Sequence, residues 1–340
     1  MPSLDVFKAD GFSLQELTHA FLKAKYQPMR LAELGLYSDE RGIATTSVMV
    51  EEKAGQLSLI QTSPRGGPAP DPIGSTKRVV RSFAVPHLVR ESTVNADEVQ
   101  NVRAFGSETE LQLVQAIVNE RLAELRQMHE VTHERHRMSA LQGVLLDADG
   151  STLLNLFTEF GVSQQTQDFA FSTSTTDVRG VIVAAKRLAE AELDGIVAQS
   201  WIGLCGANWF DALVAHDSVK AAFQYQQGQV LGQDLRYSGF TFGGVVWEEY
   251  RGTVVNPGGS SVAFLDADEA YLVPKTSPSI FIRRNAPADF METVNTLGLP
   301  VYAKQAPDPS GFNRYVQLHT QSNPLHLCVR PRAVIKLTKS

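Results

Sequence analysis

The sequence predicts an α+β fold, in which one long helix and most of the strands occupy separate parts of the chain. Three observations lead to this prediction. Residues 108–137 repeat apolar side chains every three or four positions, as one face of a helix does. Residues 42–85 combine strand-like runs with a turn-rich loop, and the chain beyond about residue 240 is a series of short strand-like runs.

Composition and charge narrow the possible functions. The 340 residues are 43% hydrophobic and 20% charged, which is the range of ordinary globular proteins and excludes a wholly disordered or fibrous chain. Lys and Arg number 31 against 37 Asp and Glu, so the formal net charge is −6. A dedicated nucleic-acid-binding protein is normally basic, because neutralising phosphates supplies most of its affinity. That class of protein is therefore not expected.

The sequence carries no export or membrane signal that we can recognise. Asp5 and Asp10 lie where a signal peptide would have a basic and then an apolar segment. The longest apolar-leaning stretch, residues 195–210, is shorter than the roughly 20 residues that a membrane helix requires. Cys205 and Cys328 each lie in an apolar run, which predicts small buried thiols and no disulfide framework. We expect a soluble protein that is made in the cytoplasm and does not enter a membrane.

Residues 1–41 are predicted to form an N-terminal arm. Apolar residues recur after Ser13 and indicate a short helix. The pair Gln27-Pro28 interrupts that pattern, so we expect extended chain from there to Leu36.

Residues 42–85 are predicted to form an extended hairpin loop. Thr45–Glu51 and Leu57–Thr62 have the composition of strands. The loop that follows, residues 63–74, contains four prolines and three glycines in twelve residues, which excludes a helix or a central strand. Because an isolated two-stranded ribbon is only marginally stable in water, this hairpin is expected to need a partner surface.

Charged residues cluster around this hairpin and are our candidates for contacts between subunits. They could dock on oppositely charged patches of a neighbouring copy and orient it. They are equally typical of solvated faces, and the sequence leaves both readings open. The candidates are Arg65, Gly66, Gly67, Lys77, Arg78 and Arg81, together with Glu51 and Glu52 just before the loop.

Residues 86–170 are predicted to contain the long helix and a hairpin after it. Ser107 and Glu110 match a capping box at the start of the helix, which we place at residues 108–137. At 1.5 Å per residue it would be about 45 Å long and would span a whole domain. Two short strands, joined by the turn at residues 147–151, are expected to follow.

Residues 171–307 are predicted to form an α/β region, and residues 308–340 to supply closing strands. Asp177 is a candidate cap for a helix that ends near Asp194-Gly195. The remaining elements follow from periodicity and turn residues. The predicted strands are 201–204, 240–250, 262–265, 270–273, 280–283, 315–319, 325–330 and 333–337, and the predicted helices are 178–193, 208–216 and 218–226.

One motif on the long helix has a catalytic interpretation. His129-Glu130-Val131-Thr132-His133 matches H-E-x-x-H, which on a helix can hold zinc between two imidazoles beside a glutamate base. A cytoplasmic zinc metallopeptidase is therefore our alternative function. The charged residues that follow, 134–137, do not suit a buried zinc helix, and only Glu159 is a loosely plausible third ligand. We prefer a solvated or interfacial helix end whose histidines share one polar face.

The other motifs do not indicate a cofactor or a catalytic site. The run Asp147-Ala148-Asp149-Gly150 lacks the later glycine and glutamate of a calcium loop and predicts a hairpin turn. The glycine-rich runs at residues 203–206 and 256–259 lack the spacing and the lysine of a phosphate-binding loop. No nucleophile elbow occurs. We therefore predict a protein that is not an enzyme and needs no cofactor or metal.

The order of these parts resembles the major capsid proteins of tailed phages, and in particular the lambda-type major head proteins of the phage major capsid protein E family. The likeness extends over nearly the whole chain and rests on order and spacing. The matching points are Arg65-Gly66-Gly67 in the hairpin, Pro86-His87 after it, Leu141-x-Gly143 at the hairpin after the long helix, Asn208-Trp209-Phe210 through Tyr225, and Phe312 through Leu337.

This resemblance implies a tailed-phage major capsid fold with an N-terminal arm, an extended loop, a peripheral domain built on the long spine helix and an α/β axial domain. It implies a structural protein that forms pentamers and hexamers of an icosahedral shell around double-stranded DNA. The implied partners are further copies of the chain, a scaffold protein, a portal and a decoration protein. The DNA would be enclosed without sequence-specific binding, and the virion would be assembled in the host cytoplasm.

Overall fold

The computed structural model describes residues 17–18, 29–53, 78–100, 110–224, 239–255, 259–312 and 314–340. Helices and strands are both abundant, as the α+β prediction requires. In chain order, the described helices are α1 Arg30–Leu34, α2 Ala96–Gln100, α3 Glu110–Gln142, α4 Leu156–Phe160, α5 Val178–Ala191, α6 Ala207–Ala215 and α7 Asp217–Gln224.

The strands form several sheets rather than one. In chain order, they are β1 Asp39–Gly42, β2 Ser47–Lys53, β3 Arg78–Ala84, β4 Leu88–Asn95, β5 Val144–Leu146, β6 Thr152–Asn155, β7 Thr166–Asp168, β8 Ala198–Cys205, β9 Phe240–Phe242, β10 Val245–Glu249, β11 Thr253–Val255, β12 Ser261–Ala263, β13 Ala270–Thr276, β14 Phe281–Asn285, β15 Tyr302–Pro307, β16 Tyr315–Ser322, β17 Pro324–Cys328 and β18 Ile335–Thr338.

The chain divides into two compact units, each assembled from three separate stretches. The first unit comprises Met1–Ser47, Ala84–Met138 and Phe281–Leu327, and the second comprises Val48–Phe83, Ser139–Ile280 and Cys328–Ser340. The bounds of the five regions expected from the sequence stay a prediction.

The first unit is a helix packed on an antiparallel sheet. Its sheet has the strand order β15-β16-β4, with Val316 opposite Val94 and Leu318 opposite Ser92. One face of this sheet meets the middle of α3 in an apolar cluster. The buried members of that cluster are Leu17, Val94, Val118, Leu122, Leu125, Val301, Ala303 and Leu318.

A second, smaller sheet of the first unit has the order β1-β14-β17, and charge pairs hold β1 in place. The Arg284 guanidinium contacts the Asp39 carboxylate at 2.7 Å, and Arg283 lies 3.4 Å from Glu40. At the end of β1, a Cβ on Gly42 would come within 2.4 Å of the Gly298 carbonyl oxygen, so only glycine allows this close backbone approach.

The second unit is built around a mixed six-stranded sheet with the order β7-β18-β13-β8-β10-β9. β8 pairs antiparallel with β13 and parallel with β10. Helices α5 and α6 pack on this sheet and bury an aromatic cluster centred on Phe169, Trp209 and Trp247. Separate two-stranded ribbons, β2-β3, β5-β6 and β11-β12, complete the unit.

Most of the predicted elements are confirmed, with shifted ends. The long helix ends at Gln142, five residues later than predicted, and its predicted cap Ser107 lies outside the described residues. The hairpin that follows begins at Gly143, whose φ of 87° and closeness to the Phe157 ring both require glycine. Asp177 precedes α5 as predicted, but its side chain makes no capping hydrogen bond.

The first hundred residues differ from the sequence-based expectation in three respects. The chain after Pro28 is not wholly extended, because α1 forms there and ends at Gly35 in a left-handed conformation. The strand that pairs with β2 is β3, and the predicted strand 57–62 lies outside the described residues. Strand β4 was not predicted, since its central residues are charged and polar.

Candidate assembly site

The base of the predicted hairpin loop is a ribbon of two strands, β2 and β3, with one buried and one open face. Val48 and Phe83 are buried. Met49 is 72% exposed and Val80 is 55% exposed. Because successive side chains in a strand point to opposite faces, this alternation places two apolar side chains, those of Met49 and Val80, on the outward face of the ribbon.

The ribbon is fixed to helix α4 within the second unit. Asn155 caps α4 by accepting hydrogen bonds from the amides of Phe157 and Thr158. The Phe83 ring packs against Phe160 with centroids 5.9 Å apart. The Arg81 guanidinium lies over the same ring at 5.3 Å and donates a hydrogen bond to the Glu159 carbonyl oxygen. The start of the ribbon is therefore held in a defined position.

The structure locates the predicted contact residues only in part. Arg81 contributes to the anchor just described, and its contact with another subunit stays a prediction. Strands β2 and β3 contain Glu51, Glu52 and Arg78, whose side chains lie outside the description. The other predicted contacts, Arg65, Gly66, Gly67 and Lys77, lie outside the described residues altogether.

The H-E-x-x-H motif lies in a buried band of polar side chains, which we call the polar seam. It comprises the buried residues of the C-terminal part of α3 and the groups that they contact in the first unit. Its helical members are Arg126, His129, Glu130, His133, Glu134, His136 and Arg137, all less than 9% exposed.

The side chains of the motif contact hydroxyl groups of β16 and a neighbouring arginine. His129 Nε2 lies 3.1 Å from Thr320 Oγ1, and His133 Nε2 lies 2.9 Å from Ser322 Oγ. Glu130 pairs with Arg126 at 3.0 Å. The two imidazole nitrogens that would bind zinc thus face hydroxyls, and the proposed base is already neutralised. Among the described residues, no group of three or more potential ligands could hold a metal ion.

The polar seam also anchors helix α1. Glu134 accepts a hydrogen bond from the Leu31 amide at 2.7 Å and pairs with Arg137 at 3.2 Å. The Tyr37 hydroxyl donates to the Arg137 carbonyl at 2.6 Å. Residues about one hundred positions apart are therefore joined by two hydrogen bonds. The one to the Glu134 carboxylate is charge-assisted, a type that is among the stronger hydrogen bonds in proteins.

Burial keeps three histidines of the seam, His129, His133 and His326, neutral. It lowers the pKa of His129 to about 4 and that of His133 to about 3, in both cases with help from nearby arginines. The pKa of His326 is also well below its usual value, first because of burial and then because of Arg283 and Arg137. Burial raises the pKa of Glu130, but His133, Arg126 and Arg137 outweigh this effect and bring it to about 2.

Of the two alternatives predicted for this helix end, the solvated one is therefore wrong, whereas the histidines do share one polar face that packs against other parts of the first unit. The charged run after His133 is buried because complementary groups surround it, a condition under which proteins tolerate buried charge. The predicted small thiols are confirmed, since Cys205 and Cys328 are both buried and burial raises the pKa of each thiol. Residues 147–151 form the predicted turn, in which Asp149 accepts hydrogen bonds from the Ser151 amide and hydroxyl.

Sequence reasoning missed one exposed apolar segment. Residues 286–300 join β14 to β15 and include four exposed large hydrophobic residues. The segment is rich in prolines, threonines and small residues, so it has neither helical nor strand periodicity. Its apolar side chains were visible in the sequence, but their exposure was not.

The comparisons with known proteins agree with this architecture. The sequence profile described as phage major capsid protein E matches residues 13–339. The chain belongs to the phage major capsid protein E family. It is 30% identical over 323 residues to the major capsid protein of Pseudomonas phage KPP10, covering 89% of this chain and 90% of that protein.

Solved structures share the tailed-phage capsid fold at low sequence identity. A crystal structure of a proposed prophage capsid protein from E. coli CFT073 has a TM-score of 0.59 at 11% identity, covering 96% of this chain and 99% of that one. The mature capsid of bacteriophage PhiM1 has a TM-score of 0.52 at 12% identity, with coverages of 93% and 88%.

As a member of the phage major capsid protein E family, the chain is a structural protein of the phage virion capsid. The predicted family and fold are confirmed. The zinc peptidase alternative has no support, because its residues hold the polar seam together. None of the described helices is long and apolar enough to cross a membrane.

Proposed function

We propose that this capsid protein assembles into pentamers and hexamers that close an icosahedral shell around double-stranded DNA. The ribbon β2-β3 is the observation that carries the proposal. A two-stranded ribbon is marginal by itself, and this one has exposed apolar side chains at Met49 and Val80. Exposed apolar groups that lie together mark contact surfaces. In a shell, a neighbouring copy would cover them.

Repetition of one surface around a ring explains how a single chain could build the shell. A head-to-tail contact closes when its rotation matches five or six copies. Each contact can then be modest, because every subunit makes several of them. The net charge of −6 suits a wall that encloses DNA without binding its phosphates tightly or reading its sequence.

The proposal includes partners beyond further copies of the chain. A scaffold protein would guide the precursor shell, a portal would occupy one vertex, and a decoration protein would bind the outer surface. These partners follow from the family resemblance, and co-expression with the neighbouring phage genes would test each of them.

The first experiment is to express the chain alone and together with its neighbouring genes. Light scattering on a sizing column and negative-stain microscopy of the same fractions should detect rings or closed shells. A strictly monomeric chain in both preparations would contradict the proposal.

Two variants test the hairpin loop directly. Deletion of residues 64–74 and the substitution Arg65→Ala should each give a folded subunit that assembles poorly. Arg179→Ala, at an exposed arginine outside the loop, is the matched control and should assemble normally. Efficient closed shells from the deletion variant would show that the loop is not needed for assembly.

A further inference from the structure

His326, at the middle of β17, is a buried histidine without a hydrogen-bond partner on its ring. Its side chain belongs to a residue only 1% exposed. The ring meets Tyr37 edge-on at 5.3 Å and lies 6.0 Å from the His133 ring, measured between centroids. Among the described residues, none forms a hydrogen bond with Nδ1 or Nε2 of His326. Because buried polar groups nearly always have a partner, from the protein or from a bound molecule, these nitrogens indicate a ligand.

The neighbouring strand β14 places a second such donor opposite His326. Two backbone hydrogen bonds of 2.9 Å set the register of these strands, one from the Val329 amide to the Ile280 carbonyl and one from the Ala286 amide to the Asn323 carbonyl. Arg283 is midway between these bonds on β14, and His326 is midway between them on β17. Their side chains are therefore direct neighbours on one face of the sheet. Nη2 of Arg283 is buried and has no hydrogen-bond partner in the described part of the chain.

The other side of the Arg283 guanidinium is already engaged. Its Nε donates a hydrogen bond to the Asn285 side-chain oxygen at 3.1 Å and lies 3.4 Å from the Glu40 carboxylate. The Glu40 side chain is 40% exposed, so solvent screens part of its charge. The Nη2 donor of Arg283 is therefore available to a ligand, and its charge is only partly neutralised.

The charge around these two side chains is positive. The buried charged residues of the polar seam and of this pair are Arg126, Arg137, Arg283, Glu130 and Glu134. Each glutamate pairs with an arginine of α3, at 3.0 and 3.2 Å, which leaves the charge of Arg283 in excess. Burial lowers the pKa of His326, and the charges of Arg283 and Arg137 lower it further, so the potential at the ring is positive. An anion suits this site better than a neutral or cationic ligand.

We propose that Arg283 and His326 bind a small monovalent inorganic anion, such as chloride, in the interior of the first unit. Nη2 of Arg283 and a ring N–H of His326 would each donate a hydrogen bond to it. The anion would satisfy both donors and neutralise the excess charge, whereas a water molecule would satisfy the donors alone. Because both strands belong to the first unit, anion binding stabilises that unit and does not depend on assembly.

Exchange of the anion at constant ionic strength tests the site in the full-length chain. Hydrogen exchange of α3 is measured in sodium chloride and in sodium gluconate, whose anion has the same charge but is much larger. Fluorescence of Trp201, Trp209 and Trp247 during urea denaturation reports on the second unit and controls for general salt effects. We expect α3 to exchange about tenfold more slowly in about 0.2 M chloride, as a Kd of about 20 mM would give. Equal exchange of α3 in the two salts, or an equal change in both units, would overturn the inference.

A matched pair of histidine variants assigns the effect to the site. His326→Phe keeps a ring and removes both nitrogens, so it should abolish the difference between chloride and gluconate. His87→Phe, at a histidine of the first unit whose side chain is half-exposed, is the control and should keep the difference. A chloride effect that persists in His326→Phe would contradict the proposal.

The unaltered chain supplies a second measurement that does not depend on the folding of a variant. Crystals grown in sodium bromide should show an anomalous-scattering peak between the side chains of Arg283 and His326. A bromide peak there supports the site, and its absence there overturns the proposal.

Discussion

The two units of the subunit differ in the chemistry of the side chains that they bury beside their apolar clusters. In the second unit, Trp209 and Trp247 stack with centroids 5.3 Å apart, and Phe169 meets Trp209 edge-on at 5.1 Å. In the first unit, the C-terminal part of α3 buries arginine, glutamate and histidine side chains in the polar seam. The aromatic cluster of the second unit is held by apolar area, whereas the first unit adds a band of paired polar groups to its apolar cluster.

This difference determines how each unit responds to change. The free energy of apolar burial is non-directional and roughly proportional to the buried area. The stability that it provides therefore depends on the size of the side chains and hardly on protonation. The stability of the polar seam depends instead on each buried polar group keeping its hydrogen-bond or ion-pair partner. Removing one member of a buried ion pair leaves a charge that neither water nor protein satisfies, which is strongly destabilising. The first unit should therefore be sensitive to pH and the second to truncation of its rings.

Acidification should give the largest effect and should act on the first unit first. The lowered pKa values of His129 and His133 mean that the unfolded chain takes up protons before the folded one. The contribution of these neutral histidines to the free energy of unfolding is fully present above pH 6.5 and is lost as the pH drops toward 4. The loss at pH 5 is about 2 kcal/mol for each of these two histidines. Glu130 adds a further loss only below about pH 4.5, as the pH falls toward its pKa of about 2.

Two probes separate the units in this titration. Hydrogen exchange of α3 reports on the first unit, whereas Trp201, Trp209 and Trp247 all lie in the second unit and report by fluorescence. Amide protection in α3 should be lost at higher pH than the fluorescence changes. The reverse order, or no shift of the α3 transition in a His129→Gln, His133→Asn double variant, would contradict the account of the seam.

Trp247→Ala should be the most damaging single substitution in the second unit. The ring stacks on Trp209 and covers Gly203, where a Cβ would lie 2.1 Å from a ring carbon. Truncating a buried tryptophan costs about 3–5 kcal/mol, because apolar area is lost and a cavity remains. Urea denaturation at neutral pH measures the loss. Val197→Ala, at an exposed valine, is the control and should change stability by less than about 0.5 kcal/mol.

Glu130→Gln should destabilise the first unit by about 3 kcal/mol, since it removes a buried negative charge that lies 3.0 Å from Arg126 and 3.9 Å from Arg137. The shape of the side chain is nearly unchanged, so the loss reports on charge. Glu124→Gln removes an exposed carboxylate that pairs with Arg121 and should cost less than about 1 kcal/mol. If the two variants lose equal free energy of unfolding in urea denaturation, the buried ion pairs of the seam contribute no more to stability than an exposed ion pair does.

Arg81→Ala should have the smallest effect on stability, about 1 kcal/mol, because it removes one hydrogen bond and one cation–π contact at a partly exposed site. The structural effect of this substitution should be confined to the ribbon. We expect faster hydrogen exchange in β3 and unchanged tryptophan fluorescence. A change in fluorescence would show that the ribbon anchor and the aromatic core are coupled.

Much of the fold was predictable because its elements carry local signals. The long helix, the hairpin after Gly143 and the strand at Trp201 follow from periodicity and turn residues. The family resemblance, which rested on the order of the parts, is confirmed by the match over residues 13–339. Strand β1 was not predictable, because the residues that hold it, Arg283 and Arg284, lie more than 240 positions away.

The candidate site was predictable only as a region. The turn-rich stretch at 63–74 indicated a hairpin that needs a partner, and β2 and β3 form its base. The role of the H-E-x-x-H motif was not predictable in the same way. A polar helix face predicts exposure unless something complementary covers it, and Thr320, Ser322 and Arg283 come from distant strands.

The sequence by itself determined the order of the parts, the long helix, the turn-rich hairpin, the buried thiols and the family, because each depends on residues close together or on their spacing along the chain. Tertiary structure decided which polar residues are buried and which apolar residues are exposed. Burial depends on what packs against a side chain. The seam of α3 and the apolar loop at 286–300 are therefore properties of three-dimensional neighbours that local sequence does not contain.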